Sequence, residues 1–164
     1  FNALLLIVPR HPERFNEVFN IANENGLNVK RRSLGDQCKA DTDILIGDSM
    51  GEMMSYYSIS DIAFIGGSLS NNGGQNMLEA ASLSKPIIFG PSLFNFEEIS
   101  KKLLEDGSAI KIKNANELMK TISELLLDEE KRKLIGQKAR TTFDNNRGAV
   151  VKVFEAIAPH IEDI

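Results

Sequence analysis

Hydrophobic and polar residues follow each other along this chain in blocks that predict strands and helices in turn. Leu4-Leu5-Leu6-Ile7-Val8 is continuously apolar and stops at Pro9, which is typical of a buried parallel strand. From Pro12 onward, apolar residues recur at helical spacing as far as Gly26, which predicts a helix that ends there. Further short apolar runs predict strands around Val29 and over residues 44–46, 62–65, 86–89 and 109–112.

The segments between these strands predict helices. The expected helices cover residues 52–57, 76–83, 94–105, a segment capped by Asn116, 129–144 and 148–158. Alternating strands and helices predict an α/β fold, here a Rossmann-like parallel sheet of about six strands with helices on both faces. The length of 164 residues fits one domain over residues 1–164.

The net charge, the cysteine count and the length of the apolar runs argue against several classes of protein. The net charge of −4 argues against a general nucleic-acid-binding surface. The single cysteine, Cys38, excludes an internal disulfide and fits a reducing compartment. No apolar run approaches the roughly 20 residues that a membrane-spanning helix needs. Because Phe1 leads straight into an apolar strand, we expect one domain of a longer protein.

The loop after the first predicted strand carries a candidate anion ligand. In parallel sheets, ligands bind beyond the carboxyl ends of the strands, where Arg10 and His11 lie. The Arg10 guanidinium could hold a phosphate or carboxylate with two hydrogen bonds, or it could be a surface arginine in a proline-stiffened turn. His11 could donate to a ligand or cap the following helix.

The loop after the third strand, Gly47-Asp48-Ser49-Met50-Gly51-Glu52, offers backbone N–H groups at a predicted helix start. The spacing of Ser49 and Glu52 also predicts a capping box, and for Glu52 this structural interpretation is favoured. Both interpretations can hold together, because a capped helix end keeps free N–H groups.

The loop after the fourth strand is the most distinctive. Gly66-Gly67-Ser68 and Gly73-Gly74 precede Asn76, a helix cap, and Glu79, a carboxylate on an otherwise apolar helix. The pattern is neither a dinucleotide-binding G-x-G-x-x-G nor a P-loop. Backbone N–H groups that can hold an anion, beside a carboxylate that can accept from sugar hydroxyls, predict a nucleotide or nucleotide-sugar site. Two histidines are too few for a typical zinc cluster, so no metal site is expected.

Three motifs in order resemble the 3-deoxy-D-manno-octulosonic acid (Kdo) transferases. They are Pro9-Arg10-His11-Pro12-Glu13-Arg14-Phe15, Gly47-Asp48-Ser49-Met50-Gly51-Glu52, and Phe64-Ile65-Gly66-Gly67-Ser68-Leu69 followed by Gly73-Gly74-x-Asn76-x-x-Glu79. The resemblance covers nearly the whole chain and implies the C-terminal, donor-binding lobe of a two-domain GT-B glycosyltransferase. Gln75 stands where the family pattern has His, and Met77 where it has Pro, which bears on selectivity for the donor sugar.

The resemblance implies a function for the intact enzyme. It would transfer Kdo from CMP-Kdo to a lipid A precursor (lipid IVA) in lipopolysaccharide biosynthesis, without a metal, at the cytoplasmic face of the inner membrane of a Gram-negative bacterium. The catalytic base and the membrane-associating surface would belong to an N-terminal domain that is absent here, so this soluble domain alone should be inactive. The residues assigned to the CMP-Kdo site are Arg10, His11, Ser49, Met50, Gly51, Gly66, Gly67, Ser68, Gly74, Asn76 and Glu79.

Two other functions stay open. The chain could belong to a different GT-B enzyme, such as a UDP-sugar transferase or epimerase. It could also be a non-catalytic carbohydrate- or protein-binding module of the same fold, although Arg10, Glu79 and the glycine loops argue mildly against this.

Overall fold

The computed structural model describes residues 3–146, except for the side chain of Asn95. Contacts between residues divide the chain into two compact units, Phe1–Ser60 and Asp61–Ile164, which we call the first and second unit. The helix predicted over residues 148–158 lies outside the described residues. That the chain forms a single domain of a larger enzyme stays a prediction.

The first unit is a three-stranded parallel sheet with helices. Its elements are β1 (Leu5–Ile7), a 3-10 turn (Pro12–Arg14), α1 (Phe15–Glu24), β2 (Val29–Arg31), a second 3-10 turn (Arg32–Leu34), β3 (Ile44–Ile46) and α2 (Met53–Ile59). The strand order is β1-β3-β2, with Leu5 and Val29 both opposite Ile44. Helix α1 packs its apolar face, including Val18, Phe19 and Ala22, on Val29, Ile44 and Ile46. This burial of apolar side chains is the main stabilising contribution to the unit.

The second unit contains another three-stranded parallel sheet. Its elements are β4 (Ala63–Phe64), α3 (Leu78–Ser82), β5 (Ile87–Phe89), a 3-10 turn (Phe94–Phe96), α4 (Glu97–Glu105), β6 (Ala109–Lys111), α5 (Ala115–Leu127) and α6 (Glu129–Asn146). The strand order is β4-β5-β6. Ile88, Ile112, Leu125 and Ile135 form a buried cluster between the sheet and the two C-terminal helices.

The α/β class and the six parallel strands are confirmed, but the strands form two sheets of three rather than one sheet. Within residues 3–146, β1 pairs only with β3 and β4 pairs only with β5, so β1 and β4 are each an edge strand of a separate sheet. One cap was predicted wrongly: Asn114, not Asn116, caps α5, and its side chain accepts from the Glu117 N–H. Asn114 is the residue with extended backbone at the junction, as an N-cap requires.

None of the helices within residues 3–146 is long and apolar enough to cross a membrane. The longest, α6, has 18 residues and is rich in charged side chains. Its central Gly136 is required by packing, since a Cβ there would lie 2.0 Å from the backbone oxygen of Ser84. Helix α6 can therefore approach the chain after α3 only because this position lacks a side chain.

Candidate functional site

The loops after β1 and β3 leave the same edge of the first sheet. The Gly47 N–H donates to the Ile7 carbonyl at 2.8 Å, which continues the ladder between the two strands to their carboxyl ends. Arg10, three positions beyond β1, is exposed and has no hydrogen bond or ion pair among the described residues. An exposed guanidinium at this edge is available to an anionic ligand.

His11 lies beside Arg10 and is exposed as well. Its Nδ1 is 3.8 Å from a Glu13 carboxylate oxygen, with the His11 side chain 59% exposed. His11 occupies the residue before the 3-10 turn, but its side chain makes no capping hydrogen bond. No side-chain hydrogen bond therefore supports the alternative that His11 caps the helix. The role of His11 in ligand binding stays a prediction.

Asp48 ties the loop after β3 to the rest of the first unit. Its buried carboxylate accepts from Arg31 Nε at 2.6 Å, from the Ser33 N–H at 2.7 Å and from Ser33 Oγ at 2.6 Å. Burial acts to raise the pKa of Asp48, but the hydrogen bonds from Ser33 and Arg31 and the charge of Arg31 outweigh it and lower the pKa. The carboxylate is therefore ionised and fully engaged at neutral pH.

Arg31 extends this attachment to α1. Its Nη1 donates to Asn16 Oδ1 at 2.9 Å, and its guanidinium lies 5.6 Å from the centroid of the Phe19 ring. Since Asp48 and Arg31 are held at the ends of adjacent strands, the pair joins β2, β3 and α1 at the carboxyl edge of the sheet.

A second cluster holds the other end of the same loop. The Ser49 hydroxyl donates to the Glu52 carboxylate and lies 2.5 Å from the Tyr56 hydroxyl, while Arg32 Nη2 donates to Glu52 Oε1 at 2.9 Å. The hydrogen bond from Ser49 is the main cause that lowers the pKa of Glu52, with Arg32 adding to it against the effect of burial. Burial and the neighbouring Glu52 carboxylate raise the pKa of the Tyr56 hydroxyl.

The predicted capping box between Ser49 and Glu52 is not formed. Helix α2 begins at Met53, and its N-cap residue Glu52 makes no side-chain capping hydrogen bond. Ser49 is therefore one turn too far upstream to reach the first helical N–H groups, and its hydroxyl bonds the Glu52 carboxylate instead. The two residues still interact, but side chain to side chain.

Between these two clusters lie Met50 and Gly51. Neither of their backbone N–H groups donates a hydrogen bond within residues 3–146. Gly51 has a φ of +79°, which an L side chain rarely adopts, so a glycine is required for the turn. The Met50 side chain is 72% exposed. The loop is thus firmly attached at both ends and presents free groups in its middle.

In the second unit, Gly66 and Gly67 follow β4 and have different reasons to be glycine. Gly67 has a φ of +81°, and a Cβ there would lie 2.3 Å from the Gly73 carbonyl oxygen. Gly66 is exposed, and a Cβ there would meet nothing within 4 Å. Neither N–H group donates a hydrogen bond in the described part of the chain. The fold requires glycine at Gly67 only, and both positions offer free donors.

Two other residues assigned to the site are engaged within the fold. The buried Ser68 hydroxyl donates to the Ile65 carbonyl at 2.6 Å and accepts from the Gly90 N–H at 2.8 Å. The Gly74 N–H donates to the Ser92 carbonyl at 2.8 Å. These bonds join the loop after β4 to the loop after β5, so the Ser68 hydroxyl and the Gly74 N–H are not free for a ligand.

Glu79 lies in the first turn of α3 and is half-buried. Within residues 3–146 the Glu79 side chain forms no ion pair, and its carboxylate accepts one long hydrogen bond, from Asn76 Nδ2 at 3.4 Å. Asn76 Oδ1 accepts from the Leu78 N–H at 3.0 Å, which orders the start of the helix. The carboxylate therefore keeps most of its acceptor capacity. No group of three His, Cys, Asp or Glu side chains within residues 3–146 is placed to hold a metal.

Four residues that shape the loop after β3 were not predicted from the sequence: Arg31, Arg32, Ser33 and Tyr56. The available signal was position, because Arg31-Arg32-Ser33 stand at the carboxyl end of β2. Their partners on the following strand are far away in sequence and only the fold identifies them.

Comparison with known proteins places these features in a family. The glycosyl transferases group 1 family matches residues 10–142. The chain is 40% identical to the 3-deoxy-D-manno-octulosonic acid transferase of Haemophilus influenzae over 162 residues, which are 98% of this chain and 38% of that protein. The enzyme of the same name from Bordetella pertussis is 34% identical over 155 residues, 94% of this chain and 36% of that protein.

One solved structure is also similar. It is the crystal structure of the C-terminal CMP-Kdo binding domain of WaaA from Acinetobacter baumannii, with a TM-score of 0.80 at 35% identity. The match covers 84% of this chain and 72% of that domain. The chain spans less than two fifths of the length of the two transferases it matches.

Proposed function

We propose that this chain, which belongs to the glycosyl transferases group 1 family, is the part of a Kdo transferase that binds CMP-Kdo. The observation that carries the proposal is the structural similarity to a CMP-Kdo binding domain, at 35% identity and a TM-score of 0.80. The resemblance to Kdo transferases expected from the motifs is confirmed by relatives of that name. The individual site residues remain predictions.

In each unit, free polar groups suit one part of such a ligand. In the first unit, Arg10 would pair with the phosphate of CMP, with the N–H groups of Met50 and Gly51 as further donors. In the second unit, Gly66 and Gly67 offer N–H groups, and the Glu79 carboxylate would accept from the ribose hydroxyls. As the C–O bond of CMP-Kdo breaks, negative charge develops on the phosphate, and preorganised donors would stabilise it.

The rest of the reaction requires residues outside this chain. We propose that the intact protein transfers Kdo to a lipid A precursor (lipid IVA), at the cytoplasmic face of the inner membrane. The catalytic base and the acceptor site would lie in the N-terminal part of the intact protein, and the 164 residues alone would not catalyse transfer. Cationic and N–H donors would replace a metal at the phosphate, so we propose a metal-independent reaction.

Arg10 and Glu79 are each expected to strengthen the binding of CMP. Titration of the chain with CMP, followed by calorimetry or amide NMR, should show binding that weakens at least tenfold in Arg10→Ala and in Glu79→Ala. The reason is that each variant loses a charge-assisted hydrogen bond to the ligand, worth about 1.5–3 kcal/mol. Neither side chain supports the fold strongly, since within residues 3–146 Arg10 makes no hydrogen bond or ion pair and the Glu79 carboxylate has only a 3.4 Å contact.

Matched controls are available in both units. Arg14 is already paired with Glu17 at 3.1 Å, and Glu98 is an exposed carboxylate on α4, so Arg14→Ala and Glu98→Ala should bind CMP like the parent chain. Absence of binding at millimolar CMP would refute the proposed function. Tighter binding of UDP than of CMP would favour a UDP-sugar enzyme. Binding unaffected by both Arg10→Ala and Glu79→Ala would remove these residues from the site.

A further inference from the structure

Glu79, which would accept from the ribose hydroxyls, lies in a helix of only five residues, Leu78–Ser82. A helix this short is not stable by itself, so its position depends on what its two ends contact. The last four carbonyls of a helix, here those of Glu79 to Ser82, lack a partner within the helix and need other donors. The source of these donors therefore decides how firmly the Glu79 carboxylate is held.

Three of the four carbonyls are satisfied from within α3 and the turn that follows it. The Ser82 hydroxyl donates to the Glu79 carbonyl at 2.7 Å, a bond that serine often makes in helices. The N–H groups of residues 83–85 donate to the carbonyls of Ala80 and Ala81 at 3.0–3.1 Å. The fourth carbonyl, that of Ser82, accepts from no backbone N–H within residues 3–146 and needs a donor from another element.

Arg140 on α6 supplies that donor. Its Nη1 donates to the Ser82 carbonyl at 2.6 Å, across 58 positions of sequence. The guanidinium is itself fixed from its own helix, because its Nε donates to Asp144 at 2.7 Å and its centre lies 5.9 Å from the centroid of the Phe143 ring. Two successive hydrogen bonds thus lead from Arg140 through Ser82 to the backbone of Glu79.

We propose that Arg140 is a positioning residue for Glu79. Through Ser82 it fixes α3, and with it the direction in which the Glu79 carboxylate meets the nucleotide. This inference rests on the proposed function, since it concerns a carboxylate of the same CMP site. Arg140 acts at the end of α3 and does not itself touch the ligand. Hydrogen bonds weaken steeply with distance and angle, so a displaced carboxylate would bind the ribose less well.

Helix α6 contains a second arginine in an equivalent arrangement, which provides a matched control. Arg132 Nη1 donates to the Leu125 carbonyl at 2.7 Å and to the Leu126 carbonyl at 2.9 Å, at the end of α5. Helix α5 carries none of the residues assigned to the CMP site. Loss of Arg132 should therefore lower stability as loss of Arg140 does, but should leave the affinity for CMP unchanged.

The test is titration of the 164-residue chain with CMP, followed by amide NMR, with thermal unfolding of each variant measured in parallel. Arg140→Met, which keeps a long unbranched side chain, should bind CMP about three- to tenfold more weakly, and Arg132→Met should stay within about twofold of the parent chain. Ser82→Ala removes only the hydroxyl that bonds the Glu79 carbonyl, and it should bind CMP about two- to threefold more weakly. This variant carries the test if Arg140→Met does not fold.

A double-mutant cycle separates positioning from a general loosening of the fold. In the Glu79→Ala background, Arg140→Met or Ser82→Ala should cause no further loss of CMP affinity, because the residue through which they act is gone. In the Arg10→Ala background, Arg140→Met should lose the same factor as in the parent chain. A merely structural role for Arg140 would give the same loss in both backgrounds.

The outcomes separate this inference from the proposed function. If Glu79→Ala weakens CMP binding but Arg140→Met and Ser82→Ala do not, the nucleotide site stands and the positioning role is refuted. Additive losses from Arg140→Met and Glu79→Ala would also refute it. CMP binding that Glu79→Ala leaves unchanged would overturn the inference while the nucleotide site remains. If the parent chain binds no CMP at millimolar concentration, the proposed function itself fails, and the inference with it.

Discussion

Replacing Gly67 by alanine is expected to destabilise the chain by about 3 kcal/mol, the sum of two penalties that act at one residue. A left-handed backbone costs an L residue roughly 1–2 kcal/mol, and Gly67 has a φ of +81°. The new Cβ would also lie 2.3 Å from the Gly73 carbonyl oxygen, and overpacking against backbone typically costs 1–3 kcal/mol. Urea unfolding followed by circular dichroism measures the change in the free energy of unfolding.

The adjacent glycine is the matched control. Gly66 has no positive φ and a Cβ there meets nothing within 4 Å, so Gly66→Ala should leave stability unchanged or raise it by about 0.4–1 kcal/mol. If the ligand approaches this open backbone, the same Gly66→Ala variant should bind CMP at least tenfold more weakly. A stable Gly67→Ala chain would contradict the packing argument. Full CMP affinity in Gly66→Ala would remove this position from the site.

Asp48→Ala is expected to cost about 3–5 kcal/mol of stability, which is typical when one partner of a buried ion pair is removed. The variant removes the carboxylate that accepts from the Ser33 N–H and the Arg31 guanidinium. The pair is buried, since the side chain of Asp48 is 0% exposed and that of Arg31 is 19% exposed. The matched control is Glu17→Ala, since Glu17 forms an exposed pair with Arg14, for which a loss below about 1 kcal/mol is expected. Equal losses in the two variants would contradict the role assigned to Asp48.

The pH dependence of stability provides an independent check on Asp48. Its pKa in the folded chain lies below the ordinary value, so the folded state holds the charged form more favourably than the unfolded state does. The resulting stability is fully present above about pH 4, the ordinary range of aspartate, and is lost as the pH falls through the folded pKa. In Asp48→Asn the acid-side loss should be smaller than in the parent chain. An identical pH profile would show that Asp48 carries no such contribution.

Much of the fold followed from local patterns. Continuous apolar runs identified the strands that the structure places at β1, β3 and β5, and the helical spacing of apolar residues identified α1. The helices expected over residues 94–105 and 129–144 correspond to α4 and α6. Boundaries and caps were less certain, as Asn114 in place of Asn116 illustrates, because two nearby asparagines look equally suited until the backbone angles are known. The division into two sheets was not predictable, since strand pairing is a long-range property.

Part of the candidate site could also be predicted from the sequence, and part could not. Glycine loops and Arg10 were visible in the sequence because they stand next to strand ends, and that position alone predicts a ligand edge. The contacts of Asp48 and Glu52 with Arg31, Arg32 and Ser33 were not visible in the sequence, because these partners are 15–20 residues away along the chain. They meet the loop only through the parallel pairing of β2 with β3. Ser68 was assigned to the ligand, yet its hydroxyl is used to hold two loops together.

The sequence by itself determined the α/β class, the order of the elements and the family, because strand and helix periodicity and motif spacing are local properties of the chain. Tertiary structure alone decided which polar groups remain free. Whether a hydroxyl, carboxylate or N–H is available to a ligand depends on every group that packs against it, and those neighbours come from other strands. Gly66 and Gly67 illustrate this: they are identical and adjacent in sequence, but the backbone angle of Gly67 and the packing of Gly73 against it distinguish the structural glycine from the open one.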